Sequence, residues 1–424
     1  MAPSYGTSLP PRLTGADWLA ARATQDVFAA LAAKGFAARV VGGAVRNALL
    51  GHPIVDVDFA TPAAPEAIMA AARAAGLGVV ATGVEHGTVT VISARVPFQV
   101  TTLREDVETH GRHATVAFTG DWAADARRRD FTINALYCSA EGEVHDPLGG
   151  YPDLVARRVR FIGSAQGRIR EDYLRILRFF RFTAEYAAGP PDTEGLVACV
   201  AEREGLERLS HERVRQELVR LLTAPRGPEL IGWMLGYGLL VPVLGLVPRP
   251  TLLARLAALE AALASAPDAM LRLAALAVEV EEDAERLRER LRLSNEEHAR
   301  LLRAVGRMIE LDPRAPVAVA KAWLYSEGET AYRARVLLAW ARSGAPPASE
   351  AWRQHLSLPA RWRAPSFPLR GTDVLAAGVP AGPRVGELLL ALEREWIAGD
   401  FKASEERLRQ RLGELAAGGS DPSD

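Results

Sequence analysis

An α+β fold is what this 424-residue sequence predicts: a small mixed sheet confined to residues 1–150, then a chain that is helical throughout. Two observations carry that expectation. Short β-like runs interleave with helical patches only as far as the turn-rich stretch "DPLGGYPDL". From about Arg168 onward, apolar residues recur at helical spacing in segments dominated by Ala, Leu, Arg and Glu.

Taken in order, the first part predicts a helix over residues 17–34, a strand at "ARVVG", a helix at "AVRNALLG" and a strand at "IVDVDFAT". A helix near 65–75 follows, then the β-runs "GLGVVAT", "GTVTVIS" and "VPFQVTTL", and a loop rich in charge and histidine from Arg104 to Ala114. Breaks near residues 244–250 and 343–368 divide the helical part. The expected organisation is a sheet-containing head over 1–150, a helical segment over 151–245, and further helical domains over 246–424.

Composition narrows the function. A formal net charge of −1 rules out a uniformly basic nucleic-acid coat but leaves room for a local basic track. Lysine occurs only at 34, 321 and 402, so cationic sites are arginine forks suited to bidentate contacts. Cys138 and Cys199 form no CxxC or Cys/His cluster, which fits a reducing compartment and makes cytoplasm the expectation. The first fifteen residues lack the apolar core of a signal peptide, and the uncharged run from Gly232 is too short and too broken by Gly and Pro to span a membrane.

Four stretches could carry chemistry. Gly42 and Gly43 stand between a strand and a helix, where backbone N–H groups and the helix dipole can hold phosphate; a plain strand-to-helix turn explains them equally well. Asp56 and Asp58, two apart on a strand, project to one face while Val57 and Phe59 face the other. Such a pair repels unless a cation sits between, and hard oxygen ligands on a rigid strand suit Mg²⁺; solvated edge carboxylates are the alternative. In "DARRRDFTINALYC", the charge run Arg127–Asp130 is either a solvated helix start, with Asp130 as a cap, or a set in which Arg128 or Arg129 contacts a triphosphate or sugar while Asp130 pairs with an arginine and orients it.

The fourth is "REDYLRILRFFRF", where Asp172 and Arg175 share a face of the expected helix. They are either an intrahelical ion pair or a base-reading pair. A carboxylate only accepts and a guanidinium only donates. Cytosine and adenine each present an amino donor beside a ring-nitrogen acceptor, whereas uracil and guanine present the inverse. One Asp–Arg pair therefore suits C and A and mismatches U and G.

In this order and spacing, "GGAVRN", "DVD", "RRRDFTINAL" and "EDYLRILRFFRF" resemble the class II tRNA nucleotidyltransferase and bacterial poly(A) polymerase family, within the polymerase-β-like nucleotidyltransferase superfamily. "SHERVRQEL" from Ser210 is similar to the family's neck-helix motif that supports the template residues, and "LRGTDVLAAGVPAGPRVGELL" from Leu369 to a C-terminal family segment. The resemblance implies a nucleotidyltransferase head followed by helical neck, body and tail, with CTP and ATP as substrates, the tRNA acceptor arm as partner and Mg²⁺ as cofactor. It implies that Asp56 and Asp58 bind metal and are catalytic, and that Gly42, Gly43 and Arg46 hold the triphosphate. It further implies that Asp172 and Arg175 act as the template and that Arg129 and Asp130 position the nucleotide, with Asn134 and Arg178 completing the nucleotide-binding set. Arg112, in the family's flexible element, is a further candidate contact.

Two positions depart from the family pattern: Asn47 stands where the motif often has Asp, and Gln99 where many relatives have Glu, so no third metal carboxylate is assigned. The stretch "TGVEHGTVTVI" resembles the CCA-adding branch and lacks the basic aromatic run of the poly(A) polymerases. CCA addition is therefore the expected activity, with poly(A) synthesis or a silent RNA-binding relative as alternatives. The isolated His211, His298 and His355 are expected at surfaces or caps, and His145–Asp146 is not expected to build a phosphohydrolase centre. Arg300, Arg303 and Arg307 are a candidate phosphate stripe or a solvated face balanced by glutamates. A monomer or loose dimer is expected, with no membrane association.

Overall fold

The computed structural model describes residues 9–110, 113–305 and 312–417. The chain divides into two compact units, Met1–Gly245 and Leu246–Asp424.

The first unit is built on a mixed sheet. In chain order its strands are β1 (Arg39–Val41), β2 (Asp58–Thr61), β3 (Gly78–Val80), β4 (Thr88–Ser93), β5 (Val96–Thr102), β8 (Tyr137–Cys138) and β9 (Val144–His145), with β6 (Arg104–His110) and β7 (His113–Phe118) forming a separate hairpin. The spatial order is β3-β4-β5-β2-β1-β8-β9, and only β2 and β5 run parallel. Helices Arg22–Ala32 and Pro65–Ala74 cover one face, where Phe59 is wholly buried with its ring centroid 4.8 Å from Phe28 and 5.8 Å from Phe98. Alternation along β2 then turns Asp58 away from that core. Register does the rest: Val41 pairs with Asp58 on one side and with Tyr137 on the other. The glycines that follow Val41, the Asp58 carboxylate and the Arg129–Asn134 segment thus meet at one end of the sheet.

Three expectations change here. The single helix over residues 17–34 is two helices, Asp17–Ala20 and Arg22–Ala32. The charged loop from Arg104 is a hairpin, whose tip, with Arg112, lies outside the described residues. Asp56 precedes β2, so it does not share a strand with Asp58.

Beyond His145 the described residues form no strand, only an isolated bridge between Phe131 and Phe161. Phe131 joins the head to the following helices, its ring lying 4.9 Å from Phe161 and 5.0 Å from Phe182. The sequence reading put Asp172 and Arg175 on one helix, but the chain breaks between them. Helix Ala165–Glu171 ends with Asp172 in an extended conformation, and helix Leu174–Tyr186 starts two residues later. Asp172 caps the second helix, its Oδ1 accepting from Leu174 N at 3.1 Å.

The second unit is helical throughout its described residues. Its terminal segment packs Val374, Leu388, Leu392, Trp396, Leu408 and Leu412 into one core. The long helix Val317–Ser343 is interrupted at Gly328, whose φ of 78° only glycine adopts readily. Arg300 is not a free phosphate contact, since it pairs with Asp268; Arg307 lies outside the described residues. Against expectation, His298 and His355 are buried, the first 3.1 Å from Glu285 and the second 3.3 Å from the Pro313 carbonyl.

Candidate functional site

A cleft of about 620 Å³ in the first unit gathers Gly42, Gly43, Arg46, Asp58, Arg129, Asp130, Asn134, Asp172, Arg175 and Arg178. Among the described residues, Asp56 is the one expected metal or nucleotide contact not in its wall; Arg112 lies outside the described residues. Nine arginines and three aspartates line it, so the charge-balanced chain concentrates positive charge where a polyphosphate fits.

At the sheet end, Gly42 has φ 74° and ψ −118°, a combination closed to side-chain-bearing residues, and it starts helix Gly43–Leu50. The Gly42 N–H itself donates to the Leu136 carbonyl at 3.1 Å, while the first N–H groups of the helix lack intrahelical partners where Gly43 lines the cleft. A Cβ at Gly42 would meet the Asn134 carbonyl at 3.6 Å, ordinary contact, so the conformation and not the space demands glycine. Gly42→Ala is expected to lose about 1–3 kcal/mol from backbone strain, measured as a lowered urea midpoint.

Burial raises the Asp58 carboxyl above the usual range, the Asp56 carboxylate raises it further, and the Arg129 guanidinium works in the opposite direction. Two mutually repelling carboxylates at a cationic cleft are the donor set a hard divalent cation relieves, so these residues fit one. Parallel pairing of Phe59 with Val100 sets Gln99 beside Asp58, so this neighbouring cleft residue is a neutral amide.

Arg129 owes its aim to a residue the sequence reading missed. Asp125, buried to 1% exposure, accepts from Arg128 Nε at 2.9 Å, Arg129 Nη2 at 3.0 Å and the Tyr137 hydroxyl at 2.8 Å. Burial opposes its charge, yet the two arginines and the hydroxyl hold its carboxyl below the usual range. Asp130 serves a different arginine: its Oδ2 accepts from Arg178 Nε at 2.8 Å and Nη2 at 2.5 Å, and its Oδ1 from Asn134 Nδ2 at 2.9 Å. Burial would raise this carboxyl, but Arg178, Asn134 and the Phe131 N–H outweigh it and pull it down to about 2. A depressed acid stabilises the fold above its unfolded value and loses that contribution as pH falls through the folded one. The stability advantage of wild type over Asp130→Asn should therefore shrink by about 2 kcal/mol between about pH 5 and about pH 2, read from urea melts.

Arg46 is nearly enclosed. Its Nη2 donates to Tyr186 Oη at 2.7 Å, its Nη1 to Asn134 Oδ1, and its Nε and Nη2 to Asn47 Oδ1 at 3.1 and 3.0 Å. Four of its five N–H bonds are thus spent inside the protein, a poor fit to a triphosphate clamp.

At the far wall, Asp172 and Arg175 do not pair with each other. Asp172 Oδ2 accepts from Arg213 Nη2 at 2.6 Å, while Arg175 Nη1 donates to Glu171 and to the Arg168 carbonyl at 2.7 Å. Arg213 Nη1 also reaches Asp172 Oδ1 at 3.3 Å, so one acceptor position on Oδ2 of Asp172, with Nε and Nη2 of Arg175, is left for a base. Helix His211–Thr223 supplies Arg213, Glu217 and Arg220 at i, i+4 and i+7, with Glu217 Oε2 2.5 Å from Arg181 Nε. That polar stripe, beside the buried stripe Val214, Leu218 and Leu221, was the available signal for these residues. Outside the cleft, Asp146 of the His-Asp dipeptide caps the N–H groups of Gly150 and Tyr151, at 2.8 Å each.

Comparison with known proteins bears on the family and the fold. Residues 38–160 match the family model of the Poly A polymerase head domain. The chain is 36% identical over 384 residues to the mitochondrial CCA tRNA nucleotidyltransferase 1 of Danio rerio, covering 89% of this chain and 87% of that one. It is 34% identical over 387 residues to the CCA-adding enzyme of Geobacillus stearothermophilus, covering 88% and 92%. The crystal structure of the Bacillus stearothermophilus CCA-adding enzyme in complex with CTP superposes with a TM-score of 0.74 at 28% identity, over 93% of this chain and 97% of that one. Fold and cleft together define a nucleotidyltransferase. Within that class, the chain belongs to the class II CCA-adding nucleotidyltransferase family, whose members depend on divalent metal. No helix among the described residues is long and apolar enough to cross a membrane.

Proposed function

We propose that the protein adds C, C and A, from CTP and ATP, to the 3′ end of tRNA without a nucleic-acid template, using Mg²⁺. The observation that carries this is the placement of Asp172 and Arg175 in the same cleft as Asp58 and the Gly42–Gly43 turn. A base-reading pair and a phosphate end thus face one bound nucleotide, and the CCA-adding relatives match along most of the chain.

In this mechanism the helix start at Gly43 and the arginines receive the triphosphate, and Arg129, aimed by Asp125, neutralises its charge. Asp172 accepts from the amino group of cytosine or adenine while Arg175 donates to the adjacent ring nitrogen. Arg178, locked by Asp130, closes the wall beside them. Asp56 and Asp58 would hold the metal, which would supply Lewis acidity for the primer hydroxyl and positive charge for the pyrophosphate leaving group. No covalent enzyme intermediate is needed, because positioning and charge stabilisation suffice. Two free, buried cysteines support a reducing compartment, and we assign the reaction to the cytoplasm.

The test incubates the protein and Mg²⁺ with each labelled NTP and with tRNA lacking CCA, tRNA lacking only the last A, or unstructured RNA. Addition that completes CCA on tRNA and stops, with UTP and GTP refused, is the expected result. Long A tails on any RNA would establish poly(A) synthesis instead, and no incorporation would leave an RNA-binding role.

A further inference from the structure

The helix that carries the base-reading arginine is tied to the head twice. Arg178 leaves it for Asp130, which holds Asn134 Nδ2 at 2.9 Å; Asn134 Oδ1 holds Arg46; and Arg46 returns to the same helix at Tyr186, 2.7 Å away. The hydrogen-bonded circuit closes on one helix eight residues further on, roughly 12 Å along its axis. The Arg46 guanidinium also lies 4.1 Å from the centroid of the Tyr186 ring.

A branch of this circuit reaches Pro53, at the start of the segment that leads to Asp56 and Asp58. Asn47 Oδ1 takes two N–H bonds from Arg46, while Asn47 Nδ2 donates to the Pro53 carbonyl at 2.9 Å. The His52 ring stacks on Tyr186 with centroids 6.0 Å apart and planes 26° from parallel. Pro53 opens the extended segment that delivers Asp56 and Asp58, and Val55 within it is 86% exposed. The side chain at 47 must accept from a guanidinium and donate to a carbonyl at once, which an amide does and a carboxylate does not. That is a physical reason for asparagine here.

We propose that Asn47 and Tyr186 are positioning residues, joined through Arg46 in a relay that sets the catalytic aspartates relative to the base-reading helix. The relay rests on the nucleotide-transfer reading above. It gives Arg46 the task of a strut between the glycine turn, the aspartate segment and the templating helix.

Two substitutions cut the relay at its ends. Tyr186→Phe removes the hydroxyl that accepts from Arg46 and donates to Asn47 Oδ1 at 3.4 Å, but keeps the ring under His52 and the guanidinium. Asn47→Leu removes both the acceptor for Arg46 and the donor to Pro53. Single-turnover CMP transfer to tRNA lacking CCA, and CTP affinity measured separately by equilibrium titration without tRNA, are compared for wild type, both single variants and the double variant. Each single variant should slow transfer on the order of 10- to 100-fold, the scale of a small misplacement at the reacting centre, with CTP affinity within about twofold of wild type. The double variant should be no slower than the worse single one, because both cut one series path.

Transfer at wild-type rate in the single variants, loss of CTP affinity in parallel with rate, or losses that multiply in the double variant would each overturn the relay. If Tyr186→Phe melts below the assay temperature, Asn47→Leu at the half-exposed position 47 decides alone by its split between rate and affinity. A wild-type protein that transfers no CMP would overturn the function itself and the relay with it; active wild type with unaffected variants removes only the relay.

Discussion

Asp58→Asn should lower nucleotide transfer by about 10³-fold or more while the chain stays folded, the scale expected when several kcal/mol of charge stabilisation at the reacting phosphate is lost. The position is held by β2, with Phe59 locked between Phe28 and Phe98 on the opposite face, so the substitution changes the charge and not the frame. Burial and Asp56 raise this carboxyl, so the folded state binds its proton more tightly than the unfolded chain does. Its ionisation therefore subtracts from stability as pH rises through the folded value. The melting temperature of metal-free Asp58→Asn at neutral pH should hold or rise as activity vanishes. A variant that keeps its transfer rate, or that melts early, would show that Asp58 serves the fold and not the chemistry.

The second large effect concerns base choice. Asp172→Ala should retain transfer of some nucleotide but lose selectivity, with CTP-over-UTP discrimination falling from on the order of 10⁴ to within about tenfold. Polar sites reject a mismatched base because their own buried groups are left unpaired, and removing Asp172 removes that penalty. The change also releases Arg213, which bonds Asp172 at 2.6 Å. Arg175→Ala separates the two effects, since Arg175 bonds Glu171 and the Arg168 carbonyl instead. Relative kcat/KM values for the four NTPs on tRNA lacking CCA measure both variants. Undiminished selectivity in either would move base reading elsewhere in the cleft.

Where a local pattern has a local cause, the sequence was readable. Period-two alternation marked β4 and β5, and the glycine pair marked the turn at Gly42, because both signals arise within a few residues. The β6–β7 hairpin escaped because "REDVETH" carries no apolar alternation. Strands β8 and β9 escaped because two-residue elements have no period to detect. At the site, residue types that announce phosphate and metal chemistry were visible in order along the chain, but their partners were not. Asp125 reads as one more residue in a charged run until folding brings the Tyr137 hydroxyl to it, and Arg213 meets Asp172 across 41 positions. The same limit explains Asp172 itself: its spacing from Arg175 fits one helix, while the extended conformation that breaks the helix there places its carboxylate against Arg213.

The central claim is that a side-chain pair stands in for a nucleic-acid template, and the amino group of cytosine is the handle that tests it. The measurement is the kcat/KM of CMP transfer from CTP against that from an analogue with hydrogen in place of the exocyclic amine, in wild type and in Asp172→Ala. Wild type should favour CTP by on the order of 10² or more, and Asp172→Ala should treat the two alike. Equal use of both by wild type, or undiminished preference in Asp172→Ala, would contradict the account.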